Sequence, residues 1–179
     1  MNKEKFLEFV KVFSELHSSE DILITWGAEA TLKLSTRIDL ELEKFNLTKE
    51  EFANECFKII TIASNIASGN INLRAEEEEV QIVNDIFLQD KDLLQYINVH
   101  TTSQSQILDE ADYELLTKRY KKHINEVLTY SIGLSVNTNN SQRNNKKHIN
   151  LELSKSDAKQ LIEILNQALV DIEQLERGK

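Results

Sequence analysis

The amino-acid sequence predicts a predominantly helical α+β protein. A helical N-terminal part is followed by a C-terminal β-hairpin covered by a long terminal helix. Three observations predict this. The 179 residues include no proline and only four glycines, which favours long uninterrupted helices over a turn-rich all-β sandwich. Several stretches repeat apolar residues at the i, i+3, i+4, i+7 spacing of an amphipathic helix. Near the C-terminus the period changes to two, as Ile149, Leu151 and Leu153 alternate with Asn150 and Glu152, and then returns to helical spacing from Ala158. The reading divides the chain into a helical region, 1–128, and a hairpin plus helix, 129–179, which form one compact unit.

Residues 3–17 put Phe6, Phe9, Val10, Phe13 and Leu16 on one face, a helix that faces a core. The charge on its other side is mixed, which does not suit a membrane-surface helix. Residues 20–45 carry two periods at once. Ile22, Trp26, Ala30, Leu34, Ile38 and Leu42 recur every four residues, while Leu32, Leu34, Thr36, Ile38 and Leu40 alternate. Length favours a helix, and the β-branched residues favour a strand; the expectation is helix, with Trp26 as a core anchor. Thr48 and Glu51 have the spacing of a capping box and open a helix over 49–67. It is apolar over more than half its circumference and therefore central, with Cys56 packed as a small hydrophobe.

Ser68-Gly69-Asn70 breaks that helix. Glu76 to Glu79 then open another, with Val80, Val83, Ile86 and Phe87 on its apolar face; acidic residues suit the positive end of a helix dipole. Residues 98–108 are polar and read as a loop. A further helix is expected from Asp109 through Leu128. Tyr130, Ile132, Leu134 and Val136 then alternate as a strand, with Gly133 a candidate bulge. Residues 137–147 hold no apolar side chain and read as a flexible, dispensable hairpin loop. The returning strand 148–153 meets a second capping box, Ser154 with Asp157, and a helix whose stripe runs through Leu161, Ile162, Leu165, Leu169, Ile172 and Leu175. Leu165 is mid-stripe and expected to be buried. Gly178 is placed for a left-handed C-cap.

Chemistry-bearing patterns are sparse. The glycines never cluster as a phosphate-cradling loop requires, and a single cysteine forms neither an internal disulfide nor a paired-cysteine zinc site. One cysteine suits a reducing compartment, and no run approaches the roughly 20 apolar residues that span a bilayer. A cytoplasmic location with no membrane partner is expected. The i, i+3 spacing of His123 and Glu126 is too common alone to predict a metal ligand pair, and His100 has no evident partner for acid–base work. No catalytic residue, metal or cofactor is predicted.

One pattern is unusual. Lys121-Lys122-His123-Ile124-Asn125 recurs as Lys146-Lys147-His148-Ile149-Asn150. With Lys118, Arg119 and Arg143 the two copies outline a candidate patch for an anion or an acidic partner: Lys118, Arg119, Lys121, Lys122, His123, Arg143, Lys146, Lys147 and His148. The plainer reading is coincidence in a chain rich in Lys, Asn and Ile. The net charge of −9 opposes nucleic acid at long range unless such a patch is segregated.

Residues 128–176, with the phrase I-N-L-E-L-S-K-S-D-A-K-Q-L-I, resemble COMM-domain proteins. These are assembly subunits that pair through a terminal module of strands and one long helix. The sequence shows two clear strands where that module has three, and lacks the tryptophan typical of its start. The resemblance implies pairing through the C-terminal part. The residues independently support a non-enzymatic interaction or assembly subunit of a cytoplasmic complex, as a homo-oligomer or with a protein partner: a broadly apolar helix, an under-filled sheet and no catalytic pattern. The alternative is a nucleic-acid-associated regulator using the Lys-rich patch.

Overall fold

The computed structural model describes residues 1–27, 29–70, 77–119, 126–140 and 145–178. The class is the one expected, α+β and rich in helix, with a terminal helix after the strands. The chain falls into two compact units, Met1–Ile107 with Asn140–Asn144, and Leu108–Asn139 with Asn145–Lys179.

Unit 1 contains α1 (Lys3–Ser18), β1 (Ile22–Thr25), β2 (Thr31–Leu34), α2 (Asp39–Phe45), α3 (Lys49–Ala67), α4 (Glu77–Ile86) and α5 (Lys91–Thr102). The Asn2 side chain caps α1, and the Thr48–Glu51 capping box starts α3 as the sequence predicts. Their apolar stripes meet in one core. Phe9 packs edge-on against Phe45 and Phe52, with ring centres 5.1 and 5.0 Å apart, and Phe13 does the same against Phe87 at 5.0 Å. Trp26 is a buried anchor stacked on Phe87. Asn46 ends α2 in the left-handed region at φ 52°, a conformation Asn tolerates better than most side chains.

The single helix expected over 20–45 is not formed, and only α2 at its end is α-helical. Its first half is an antiparallel hairpin, with Ile22 opposite Leu34 and Ile24 opposite Leu32. A short 3-10 turn, Thr36–Ile38, then leads into α2. The every-fourth-residue pattern is also every second step of a strand alternation, so periodicity alone did not separate the two. The β-branched threonines and Ile22, Ile24 resolve it toward strand. The polar stretch 98–108 is also not wholly loop, because α5 continues to Thr102.

Unit 2 contains β3 (Ile107–Arg119), β4 (Val127–Asn140), β5 (Asn145–Leu153) and α6 (Lys155–Arg177); the first residue of β3 and the last of β4 fall to unit 1. The strands form a three-stranded antiparallel sheet in the order β3-β4-β5. Where a helix was expected from Asp109, the chain is strand. Leu115 and Leu116 fit a helical stripe, but Tyr113, Leu115 and Thr117 also alternate with Asp112, Glu114 and Leu116. Pairing with β4 selects the second pattern.

The expected flexible loop over 137–147 is mostly strand too. Its asparagines act through their side chains. Asn137 donates through its amide nitrogen to Glu110 at 3.2 Å and its Oδ1 accepts from His148 Nδ1 at 2.7 Å, while buried Asn140 donates to the Gln104 and Ser105 carbonyls at 2.6 and 3.2 Å. The Ser154–Asp157 capping box is present. Gly178, by contrast, has φ −86° and makes no left-handed cap.

One expectation about α6 fails. Its stripe does not cover the hairpin: no residue of α6 is buried, and Leu165 is 55% exposed. Apolar periodicity records that a face is to be covered, not which molecule covers it.

Candidate assembly surface

The two sides of the unit 2 sheet differ in chemistry. Strand alternation sends successive side chains to opposite faces, and the cross-strand contacts fix which residues share a side. Asn137 bonds Glu110 and His148. Ser131 Oγ donates to Glu152 Oε1 at 2.6 Å, and Lys118 Nζ lies 2.7 Å from the same oxygen. A Cβ at Gly133 would come within 2.9 Å of Glu114 Cγ, so glycine leaves room there for the Glu114 side chain. This side is mainly polar but includes Leu116, and an open hollow of about 500 Å³ there is lined by Asp112, Glu114, Leu116, Gly133, Asn150 and Glu152 among others. The hydrogen bond and charge of Lys118, then the Ser131 hydroxyl, hold the Glu152 carboxyl below its ordinary range.

The opposite side is apolar. It carries Tyr113 and Leu115 from β3, Tyr130, Ile132, Leu134 and Val136 from β4, and Ile149 and Leu151 from β5. Tyr113, Leu115 and Tyr130 are 69%, 71% and 68% exposed. The contact of α6 with the sheet is slight and lies with β5. Among the described residues, every buried apolar side chain of the chain belongs to unit 1. Unit 2 thus presents a sheet face that is exposed at its flanks and half-buried at Ile132, Leu134 and Val136, and a helix stripe that is exposed.

No protein-family model matches this chain, and no curated protein matches it.

The sequence-derived patch is placed as follows. Lys118 ends β3 paired with Glu152. Lys146, Lys147 and His148 open β5, with both lysines exposed. Lys146 lies six residues from Glu152 along the strand, roughly 20 Å at strand spacing, so the structure does not bring Lys118 and Arg119 together with Lys146, Lys147 and His148. Lys121, Lys122, His123 and Arg143 lie outside the described residues, as does the first copy of the pentapeptide. Among the described residues no three His, Cys, Asp or Glu side chains are grouped as metal ligands, and no helix is long and apolar enough to cross a membrane. His100 stands on α5 with its ring 4.0 Å from that of Tyr96. Cys56 is buried in the unit 1 core, and burial pushes its thiol up to about 12, far from the thiolate that nucleophilic chemistry needs.

The residues missed by sequence reasoning are those of β3. The signal was the alternation Ala111, Tyr113, Leu115, Thr117, which the acidic helix-like opening at Asp109 and Glu110 obscured.

Proposed function

We propose that this chain is a non-enzymatic assembly subunit of a cytoplasmic protein complex, joined to its partner through unit 2. The observation that carries the reading is that, among its described residues, unit 2 has no fully buried large apolar side chain while presenting two apolar surfaces. Monomeric soluble proteins rarely leave contiguous apolar patches larger than a few hundred Å² in water, and a three-stranded sheet needs a covered face for stability. The resemblance of the C-terminal part to COMM-domain proteins supports the same role, and one buried cysteine suits a reducing setting.

Light scattering of the full chain across a range of concentrations, together with recovery of the tagged chain from its native cell, tests this. A self-associated species, or a stoichiometric protein partner lost on Tyr130→Asp, is expected. A strict monomer that recovers no partner overturns the proposal.

The nucleic-acid reading is supported only by the exposed Lys146–Lys147 pair. The Glu152 carboxylate offsets Lys118, and the described basic residues are split between two ends of the sheet, which weakens it. Retention on immobilised DNA and RNA at two salt concentrations separates the readings, since phosphate contacts weaken steeply with salt.

A further inference from the structure

We infer that the corner of unit 1 where His17, Phe87 and Trp26 meet is a proton-operated latch: the neutral imidazole lets the β1–β2 hairpin pack on Phe87 through Trp26, and a proton on that ring loosens the hairpin. The inference concerns unit 1 alone and stands apart from the assembly reading.

The rings come first. Phe87 follows the last residue of α4 and is a hub for side chains from two other elements. Phe13 and His17, one turn apart on α1, stand edge-on to it with ring centres 5.0 and 5.4 Å away. Trp26, directly after β1, stacks on it at 6.4 Å. Phe13, Trp26 and Phe87 are buried, and His17 is half-buried. The imidazole thus forms the margin of an aromatic cluster, where a neutral ring fits and a charged one loses hydration.

The polar surroundings come second. Among the described residues no hydrogen bond or ion pair reaches the His17 imidazole. The carboxylates of the neighbouring elements are engaged elsewhere. Asp21 accepts from the Ser35 and Ser19 hydroxyls at 2.8 and 3.0 Å, Asp85 from the Gln81 and Asn84 amides at 2.8 and 3.2 Å, and Asp90 from the Asp92 N–H at 2.9 Å. Glu15, Glu20, Glu29 and Lys33 are exposed. A helix C-terminus favours a cation, but the carbonyls of the last turn of α1 already have donors. Ser14 accepts from the Ser18 hydroxyl, Glu15 from the Ser19 N–H, Leu16 from the Asp21 N–H and His17 from the Glu20 N–H. These four offer the ring no unpaired acceptor.

Burial accordingly holds the imidazole below its ordinary value of 6.5. The loosened form then binds a proton more tightly than the packed one. The latch is complete above about pH 6.5 and is lost as pH falls through the packed ring's own, lower value. Asp21 stays charged across that window, because the Ser35 hydroxyl, then that of Ser19, hold its carboxyl below the usual carboxylate range.

The test is hydrogen exchange read by mass spectrometry, corrected for the intrinsic effect of pH on exchange. The full chain is compared as wild type, His17→Gln, His17→Phe and His100→Gln between about pH 7.5 and 5, the range around histidine titration. In wild type and His100→Gln, protection of the hairpin segment 22–34 is expected to fall severalfold in acid while that of the middle of α3, around Ile59, holds. In both His17 variants the hairpin is expected to keep its protection. Should one of the two lose helix content by circular dichroism, the other decides. A wild-type hairpin insensitive to pH overturns the latch. So does one that acid tightens, as a cation held on the Phe87 ring would make it. A fall that α3 shares equally is general acid unfolding and overturns it, as does a fall that persists without His17 or disappears with His100.

Discussion

Phe9 and Leu165 occupy the same kind of position, the middle of an apolar helix stripe, yet Phe9 has no exposed surface and Leu165 is half open. Their substitutions should therefore differ in kind. Phe9→Ala opens a cavity among Phe45 and Phe52 and should cost about 3–5 kcal/mol, independent of protein concentration, as measured by denaturant unfolding. Leu165→Asp should leave the melting of unit 1 within a few degrees and instead abolish association. Cys56 gives a pH test. Its thiol is held up to about 12 against an ordinary value of 9.0, so the unfolded chain releases the proton first as pH rises. The neutral thiol's contribution to stability is complete below pH 9 and is lost between about 9 and 12, at about 1.4 kcal/mol per pH unit. Unfolding free energies of wild type and Cys56→Ala between pH 8 and 10.5 should diverge in slope above 9, with the wild type falling faster. Parallel slopes would mean that the thiol ionises freely in the folded state.

At the scale of elements, helices were legible where a local device marks them and strands were not. The Thr48–Glu51 and Ser154–Asp157 boxes state the start of α3 and α6 within a few residues, because a cap is a local contact. Strand β3 has no such marker. Its identity depends on β4, a partner distant in sequence, and its leucines satisfy a helical period as well. The same cause misplaced 20–45. Residues 137–147 differ from expectation for another reason: a stretch without apolar side chains can still be anchored, and Asn137 and Asn140 are tied by hydrogen bonds to β3, β5 and the chain near Gln104. Replacing all of 137–147 with a two-residue turn should therefore lower stability by more than the roughly 0.6 kcal/mol per doubling that loop length alone changes. Asn140→Ala by itself should cost about 1–3 kcal/mol, because two carbonyls at a buried site lose their donor. A melting temperature unchanged in both variants would show that these bonds carry no stability. Of the candidate site, the stripe of α6 was legible as apolar, but its exposure was not, since a sequence does not say how many copies of it share one core.

For the whole molecule, the two units should melt by different rules. Unit 1 has its own buried core and should unfold at a concentration-independent temperature. On the proposed assembly, unit 2 gains its cover from another chain, so its transition should move with concentration, by about 1.4 kcal/mol of apparent stability per tenfold change. Scanning calorimetry at three concentrations checks this, and a single transition fixed in temperature would count against it. The sheet has one more consequence. Its outer strands, β3 and β5, each present a row of backbone groups with no neighbouring strand among the described residues, which is a template for a further strand to attach. Covering the faces of a sheet does nothing for its rims. Lys146 and Lys147 lie along one rim and Asp109, Glu110 and Asp112 along the other, and charges in such places discourage rim-to-rim growth into fibres. The lysines of the candidate binding patch then have a plainer task, keeping the rim of one sheet from adding to the next without end. Lys146→Val with Lys147→Val should fold normally, yet turn turbid and bind an amyloid dye on standing at concentrations where the wild type stays clear.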